Sequence, residues 1–173
     1  AQIFGDQDPS IVRRRISRDG GRSWGPIETF IDEPGTFIRN PVIIADNGDW
    51  LLPIFRCRPI PGARWNGAED FSGVKISSDQ GVSWSYVEIP DSVGAVHMNI
   101  VKLPGKLVAF YRNRRAEFIL RSSSIDNGRT WTAPATGTNA GGMATTAWTW
   151  ARPGWTQGVS TQKGNDAGPT TGR

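Results

Sequence analysis

Sixteen of the twenty basic residues in this 173-residue chain are arginines, and a guanidinium differs from an ammonium in what it can hold. Its planar fork of donors grips a carboxylate at two points, where a lysine offers a single point of charge. Two arginine pairs repeat a local pattern: Phe55-Arg56-Cys57-Arg58 and Tyr111-Arg112-Asn113-Arg114 both read aromatic-R-x-R, and both follow a glycine turn by one strand length. Arg39, in Arg39-Asn40-Pro41, stands on the strand before the first pair. The chemistry such a set supplies is capture of an anion. Groups able to move protons are scarcer: Glu69-Asp70 in the irregular stretch 57–72, the lone His97 two residues before Asn99, and Tyr111 with Glu117. One histidine and one cysteine argue against a zinc site, and no metal or cofactor is expected. Cys57 has no second cysteine to pair with and reads as a small buried hydrophobe.

The elements that must position these residues are marked by a repeat. Ser17-Arg18-Asp19-Gly20-Gly21-Arg22-Ser23-Trp24, Ser77-Ser78-Asp79-Gln80-Gly81-Val82-Ser83-Trp84 and Ser124-Ile125-Asp126-Asn127-Gly128-Arg129-Thr130-Trp131 all read S-x-D-x-G-x-x-W. An Asp carboxylate there can accept hydrogen bonds from the backbone N–H groups ahead of it, and the Gly can take a positive φ. The Trp brings an apolar body back beneath the turn, and the Ser hydroxyl ties in the incoming strand. Asp19, Gly21, Trp24, Asp79, Gly81, Trp84, Asp126, Gly128 and Trp131 are therefore read as structural. Between the turns, strands are expected over 11–16, 27–31, 37–44, 50–56, 73–76, 86–90, 96–103, 106–112 and 118–121. Pro53 must lie where no ladder bond is needed. The turns are 60 and 47 residues apart, and repeats of about 40 to 50 residues built of short strands suit four-stranded propeller blades.

Over residues 5–134 these features resemble the sialidase-like β-propellers, in particular the bacterial and fungal proteins described as predicted neuraminidases. Their Asp-box, or bacterial neuraminidase (BNR) repeat, is the S-x-D-x-G-x-x-W turn. Besides the turns, the resemblance rests on Arg39-Asn40-Pro41, Gly48-Asp49-Trp50-Leu51-Leu52-Pro53, His97-Met98-Asn99 and Tyr111-Arg112-Asn113-Arg114-Arg115-Ala116-Glu117. It implies an all-β, sialidase-type β-propeller, represented by about three four-stranded blades of a six-bladed ring. The boxes would lie on the side away from the active site. The activity implied for the full-length form is that of an exo-glycoside hydrolase removing a terminal acidic sugar, such as sialic acid, from a glycan. A non-catalytic carbohydrate-binding propeller and a polysaccharide lyase with His97 as base are the alternatives.

In that family three arginines hold the substrate carboxylate, the first in an R-I-P motif. Arg39-Asn40-Pro41 keeps R-x-P without the Ile, and it follows a box where the family motif precedes the first one. The resemblance implies that Arg39, Arg56 and Arg112 bind the anion, with Asn40, Asn99 and Arg114 beside them. Asp70 and Glu69 fall where the family carries its acid/base, and Tyr111 with Glu117 is the nearby combination of the types that form its nucleophile pair. The family's own Tyr belongs to a later blade.

With 37% hydrophobic and 21% charged residues the chain has the composition of a soluble globular protein large enough for one domain. No apolar run approaches the roughly 20 residues of a transmembrane helix. The start, Ala1-Gln2-Ile3-Phe4, has neither the basic nor the apolar segment of a signal peptide and no initiator Met, which reads as a processed, trimmed or partial chain. The net charge of +4 is dispersed, its longest run being Arg13-Arg14-Arg15. The expected partner is thus a glycan and not nucleic acid, and the family favours a secreted or periplasmic location. Residues 1–134 read as the partial propeller. Residues 135–173, dominated by Gly, Thr, Ala and Trp without strand alternation, read as a low-complexity tail, disordered or foreign to the fold.

Overall fold

The computed structural model describes residues 7–136. Apart from its first two residues, the stretch read as a tail lies outside them. Eleven strands and no helix make up the described residues: β1 (Val12–Arg14), β2 (Glu28–Ile31), β3 (Thr36–Phe37), β4 (Ile43–Ile44), β5 (Trp50–Arg56), β6 (Phe71–Ser77), β7 (Ser85–Glu88), β8 (Ala95–Leu103), β9 (Lys106–Asn113), β10 (Ile119–Ser124) and β11 (Ala135–Thr136). They form three antiparallel sheets in chain order. The first is β1-β2; the second runs β3-β5-β6-β7 with β4 also on β5; the third runs β8-β9-β10-β11. Because β11 pairs with Leu120 and Arg121, the third sheet extends two residues past the boundary at Pro134 expected from composition.

Alternation along the strands buries both faces of the second sheet. On one side of β5, Leu52 and Ile54 pack with Ile31 of β2, joined by Val12, Phe30, Ile38 and Trp84. On the other, Leu51 joins Val74 and Ile76 of β6 against Met98, Ile100, Leu107, Ala109 and Tyr111 of the third sheet. Removing this apolar area from water at about 25 cal/mol per Å² is what holds sheet on sheet.

The strand expected over 37–44 is broken. Thr36–Phe37 pairs with Arg56 and Phe55, Ile43–Ile44 pairs with Leu51 and Trp50, and the residues between leave the ladder. Pro41, which has no N–H to give, lies in the gap, and Pro53 on β5 falls opposite it, between Leu51 and Phe55. The third sheet has its own irregularity: between Val96 and Asn99 the register slips, so that His97 and Met98 together face Tyr111. This is a β-bulge, and His97 takes a φ of 58° within it.

The three S-x-D-x-G-x-x-W turns join β1 to β2, β6 to β7 and β10 to β11. In the second, Ser77 Oγ donates to Asp79 Oδ1 (2.7 Å) and accepts from Gly81 N (2.7 Å). Ser83 donates to the same carboxylate through both its N–H (2.9 Å) and its hydroxyl (2.5 Å). Ser23 and Thr130 repeat this pattern on Asp19 and Asp126. The hydroxyl-bearing seventh position is thus part of the motif, although the sequence pattern left it open. Each later turn also docks on the sheet before its own. Trp84 meets Phe30 of β2 edge to face at 5.7 Å, and Arg129 reaches Asp49 at 2.7 Å while Gly128 lies on Leu51.

Candidate anion-binding site

In the second and third sheets the S-x-D-x-G-x-x-W turns stand at one end and the aromatic-R-x-R segments at the other. Ser77 pairs with Trp50 at the start of β5, and Arg56 at its finish pairs with Phe71; Ser124 pairs with Leu107, and Arg112 with Ile119. The arginine end rests on a small buried cluster of Phe55, Cys57 and Val96, against which Phe37 and Trp65 pack. Phe55 stacks on Phe37 at 5.2 Å and receives the His97 ring edge to face at 5.1 Å.

His97 feels the charge of three of these arginines. Burial first, and then the positive charges of Arg112, Arg39 and Arg114, together depress its pKa from 6.5 to about 4. The imidazole is therefore neutral at neutral pH, and it lies within electrostatic reach of three guanidinium groups. What brings Arg39 there is the broken strand: Asn40, in the gap between β3 and β4, donates through Nδ2 to the carbonyl of Met98 in the bulge, at 2.8 Å.

The arginines differ in how their charge is met. Arg114 Nη1 pairs with Asp70 Oδ2 at 3.1 Å, its guanidinium lies 5.1 Å from the Trp65 ring centre, and it occupies the space that a side chain at Gly67 would need. Its N–H donates to Gly94 O, whose own N–H donates to Asp70 O, so backbone and side chain are fixed together. By contrast, no hydrogen bond or ion pair reaches Arg39 among the described residues, and Arg112 Nε is buried without a partner. Two guanidinium groups thus remain free to accept an anion beside a third that is already neutralised.

Asp70, expected as an acid, is fully buried. It accepts from Trp65 Nε1 at 2.9 Å and from the Cys57 thiol at 3.5 Å in addition to pairing with Arg114. Burial, and then the Asp70 charge, push the Cys57 thiol well up, so it remains a protonated donor. The adjoining Glu69 is exposed. Asn99, just past the bulge, is half-buried and pairs with Phe110 across the ladder.

Other expected site residues are placed elsewhere. Arg56 binds Glu33 at 2.7 Å and the Pro34 carbonyl at 3.4 Å, and Glu33 also holds the buried Lys75 at 2.6 Å, so Arg56 serves a link between the first and second sheets. Tyr111 is in the core with its hydroxyl 2.6 Å from Ser122 Oγ, and burial raises its pKa. Glu117 is exposed in the turn where its own N–H donates to Asn113 Oδ1. Tyr111 and Glu117 therefore do not form a pair. Among the described residues, no three His, Cys, Asp or Glu side chains converge as metal ligands would. Among the same residues no helix is long and apolar enough to cross a membrane.

Residues 2–162 match the protein family described as BNR repeat-like domain. Among solved structures, a leech intramolecular trans-sialidase complexed with 2,7-anhydro-Neu5Ac is 26% identical with a TM-score of 0.54, over 72% of this chain and 19% of that one. The intramolecular trans-sialidase from Ruminococcus gnavus, in complex with oseltamivir carboxylate, is 22% identical with a TM-score of 0.53, over 73% of this chain and 26% of that one. A Hadza microbial sialidase is 19% identical with a TM-score of 0.58, over 78% of this chain and 28% of that one. The chain spans only 19% to 28% of the length of these proteins, and the fold it shares with them is the all-β fold of sialidases. No curated protein matches the chain.

Proposed function

Because the chain belongs to the family of BNR repeat-like domains, we propose that its three sheets are successive blades of a sialidase-type β-propeller. The cluster around His97 is then the place where that propeller holds the carboxylate of a terminal acidic sugar. The observation that carries this reading is that Arg39 and Arg112 are unpaired among the described residues, while both, with Arg114, act on one neutral imidazole through their charge. A carboxylate entering there gains two charge-assisted partners without displacing an existing acid. Arg114, pinned by Asp70, supplies a fixed third edge. Asn40 positions Arg39 without touching the sugar. The leech and Ruminococcus structures, which hold 2,7-anhydro-Neu5Ac and oseltamivir carboxylate, agree with an acidic ligand.

For hydrolysis by the longer protein, Glu69 is the exposed carboxylate left to meet a leaving oxygen, and Asp70 acts by holding Arg114. Titration calorimetry with N-acetylneuraminic acid and its methyl ester tests the binding step. The acid binds and the ester does not, and Arg39→Ala or Arg112→Ala weakens the acid about tenfold or more, roughly the loss of one charge-assisted bond. Equal binding of acid and ester would refute the assignment.

A second reading, a non-catalytic carbohydrate-binding propeller, is favoured by one observation. Tyr111 is committed to the core and Asp70 to Arg114, so neither is free to act on a sugar held at the arginines. Binding of the sugar acid without release of the fluorophore from a 4-methylumbelliferyl sialoside would select it.

A further inference from the structure

Three places in the chain read Asn-Gly: Asn47-Gly48, Asn66-Gly67 and Asn127-Gly128. In each, the glycine lacks the Cβ that would otherwise shield its amide nitrogen from the asparagine side chain. That nitrogen can close a succinimide ring on the asparagine Cγ, a reaction favoured because both groups are already held together. In sequence the three pairs are equivalent. The fold treats them differently.

Asp49 holds Asn47 at both amide atoms: Asn47 Nδ2 donates to Asp49 Oδ2 at 2.7 Å, and its Oδ1 accepts from the Asp49 N–H at 3.2 Å. The nitrogen that must attack, Gly48 N, donates to Ala45 O at 3.1 Å. Asn127 precedes a glycine that is buried on Leu51 and donates to Ser124 Oγ at 2.9 Å. Ring closure at either place must first break bonds from which the turn is built. Asn66, in the irregular stretch between β5 and β6, is exposed, and among the described residues neither its Nδ2 nor the Gly67 N–H has a partner. Its Oδ1 accepts from the Ala68 N–H at 2.9 Å. That donor stands where the oxygen gathers negative charge as Cγ is attacked, and so stabilises the intermediate.

We propose that Asn66 is a site of spontaneous deamidation. Gly67 N gives up its proton and bonds to Asn66 Cγ; the Cγ–Nδ2 bond breaks, and Nδ2 leaves as ammonia with that proton. Water then opens the succinimide at either carbonyl, leaving aspartate or isoaspartate at position 66. In isoaspartate the main chain runs through Cβ and Cγ and is one atom longer. The added length falls where there is no space. Gly67 lies against the Arg114 guanidinium, while the Trp65 ring centre is 5.1 Å from that guanidinium and Trp65 Nε1 donates at 2.9 Å to Asp70, the partner of Arg114. Isoaspartate at position 66 therefore loosens Arg114. This consequence rests on the reading of Arg114 as the fixed edge of a sugar-acid site, whose affinity then falls as the protein ages.

The test incubates the full chain at mildly alkaline pH and maps it at intervals by peptide mass spectrometry. The Asn66 peptide converts to two products of equal mass, each heavier by the exchange of amide for acid. The Asn47 and Asn127 peptides convert about tenfold more slowly, a factor that one hydrogen bond supplies. In urea all three convert alike. Equal conversion at the three sites of the folded chain, or conversion first at Asn47 or Asn127, overturns the proposal. So does an Asn66 peptide that stays intact in the folded chain while the urea-unfolded chain reacts. Calorimetry reads the consequence: the aged chain loses affinity for N-acetylneuraminic acid, and Asn66→Gln aged in the same way keeps it. Equal loss in both overturns the link to Arg114. A fresh chain that does not bind the acid refutes the sugar-acid reading, and the mass map still decides the deamidation.

Discussion

Asn40 donates to the carbonyl of Met98 across 2.8 Å, and that bond ties an interruption in the second sheet to a bulge in the third. Each irregularity alone would loosen its sheet. Joined, they bring the charge of Arg39 within reach of His97. Replacing Asn40 by Ala leaves the Met98 carbonyl in a buried position without its donor, at a cost of about 1–3 kcal/mol in urea unfolding. Because Asn40 does not touch the anion, the same variant is expected to weaken sugar-acid binding through Arg39, and Arg39→Ala added to it brings little further loss.

A pair of glycines separates backbone strain from packing. Gly21 and Gly128 hold the same place in their turns with φ of 91° and 88°, but a Cβ at Gly21 meets nothing whereas one at Gly128 runs into Leu51. Gly21→Ala therefore pays the left-handed conformation alone, about 1–2 kcal/mol. Gly128→Ala pays that and the collision, so its unfolding free energy falls further, by about 1–3 kcal/mol more. Equal losses in the two variants would mean that the third turn does not rest on the second sheet.

The pH dependence carried by His97 has a definite sign. Its folded pKa of about 4 lies below the ordinary 6.5, so as pH falls the unfolded chain takes up this proton first. Stability from this group is complete above 6.5, declines between 6.5 and about 4, and changes no further below that. His97→Gln flattens that limb of the stability profile. A bound carboxylate partly neutralises the surrounding arginines, so the His97 titration followed by NMR moves upward when sugar acid is added.

The turn aspartates continue the same acid limb at lower pH. The Ser23 hydroxyl and N–H hold Asp19 at about 2, and those of Ser83 do the same for Asp79. Burial pushes Asp126 the other way, yet the Thr130 hydroxyl and N–H still keep it at about 2. A carboxylate so lowered contributes stability that is complete above 3.8 and is lost as pH falls through about 2. Ser83→Ala and Thr130→Val each raise the pH at which acid unfolding begins; Ser23→Ala, in the most exposed turn, has the smallest effect.

The sequence carried the turns plainly, because Asp, Gly and Trp at fixed spacing have only one economical use, and it carried most strands through apolar alternation. It did not carry the breaks. Pro41 and Pro53 each forbid a ladder bond, but only their register shows that they face the same gap. Nothing in His97-Met98-Asn99 announces a bulge, since a non-glycine residue at positive φ is held there by its surroundings. The arginines show the same limit. Arg56 and Arg112 occupy matching places in the repeat, yet Glu33 claims Arg56, whereas Arg112 is left open and Arg114 takes Asp70. Tyr111 was legible as a core residue, because neighbours on a strand face opposite ways and the half-buried Arg112 beside it takes the other face.

The docking of each turn on the sheet before it makes the array overlap like roof shingles, with a direction built in. Trp131 is 7% exposed and Trp24, at the same motif position in the first turn, is 55% exposed. In a row whose units hold one another only through nearest neighbours, order is lost first where the described contacts between units are fewest. Melting therefore starts as fraying at the first turn and advances toward the third, and the three motif tryptophans, emptied of their contacts one after another, mark the passage of that front.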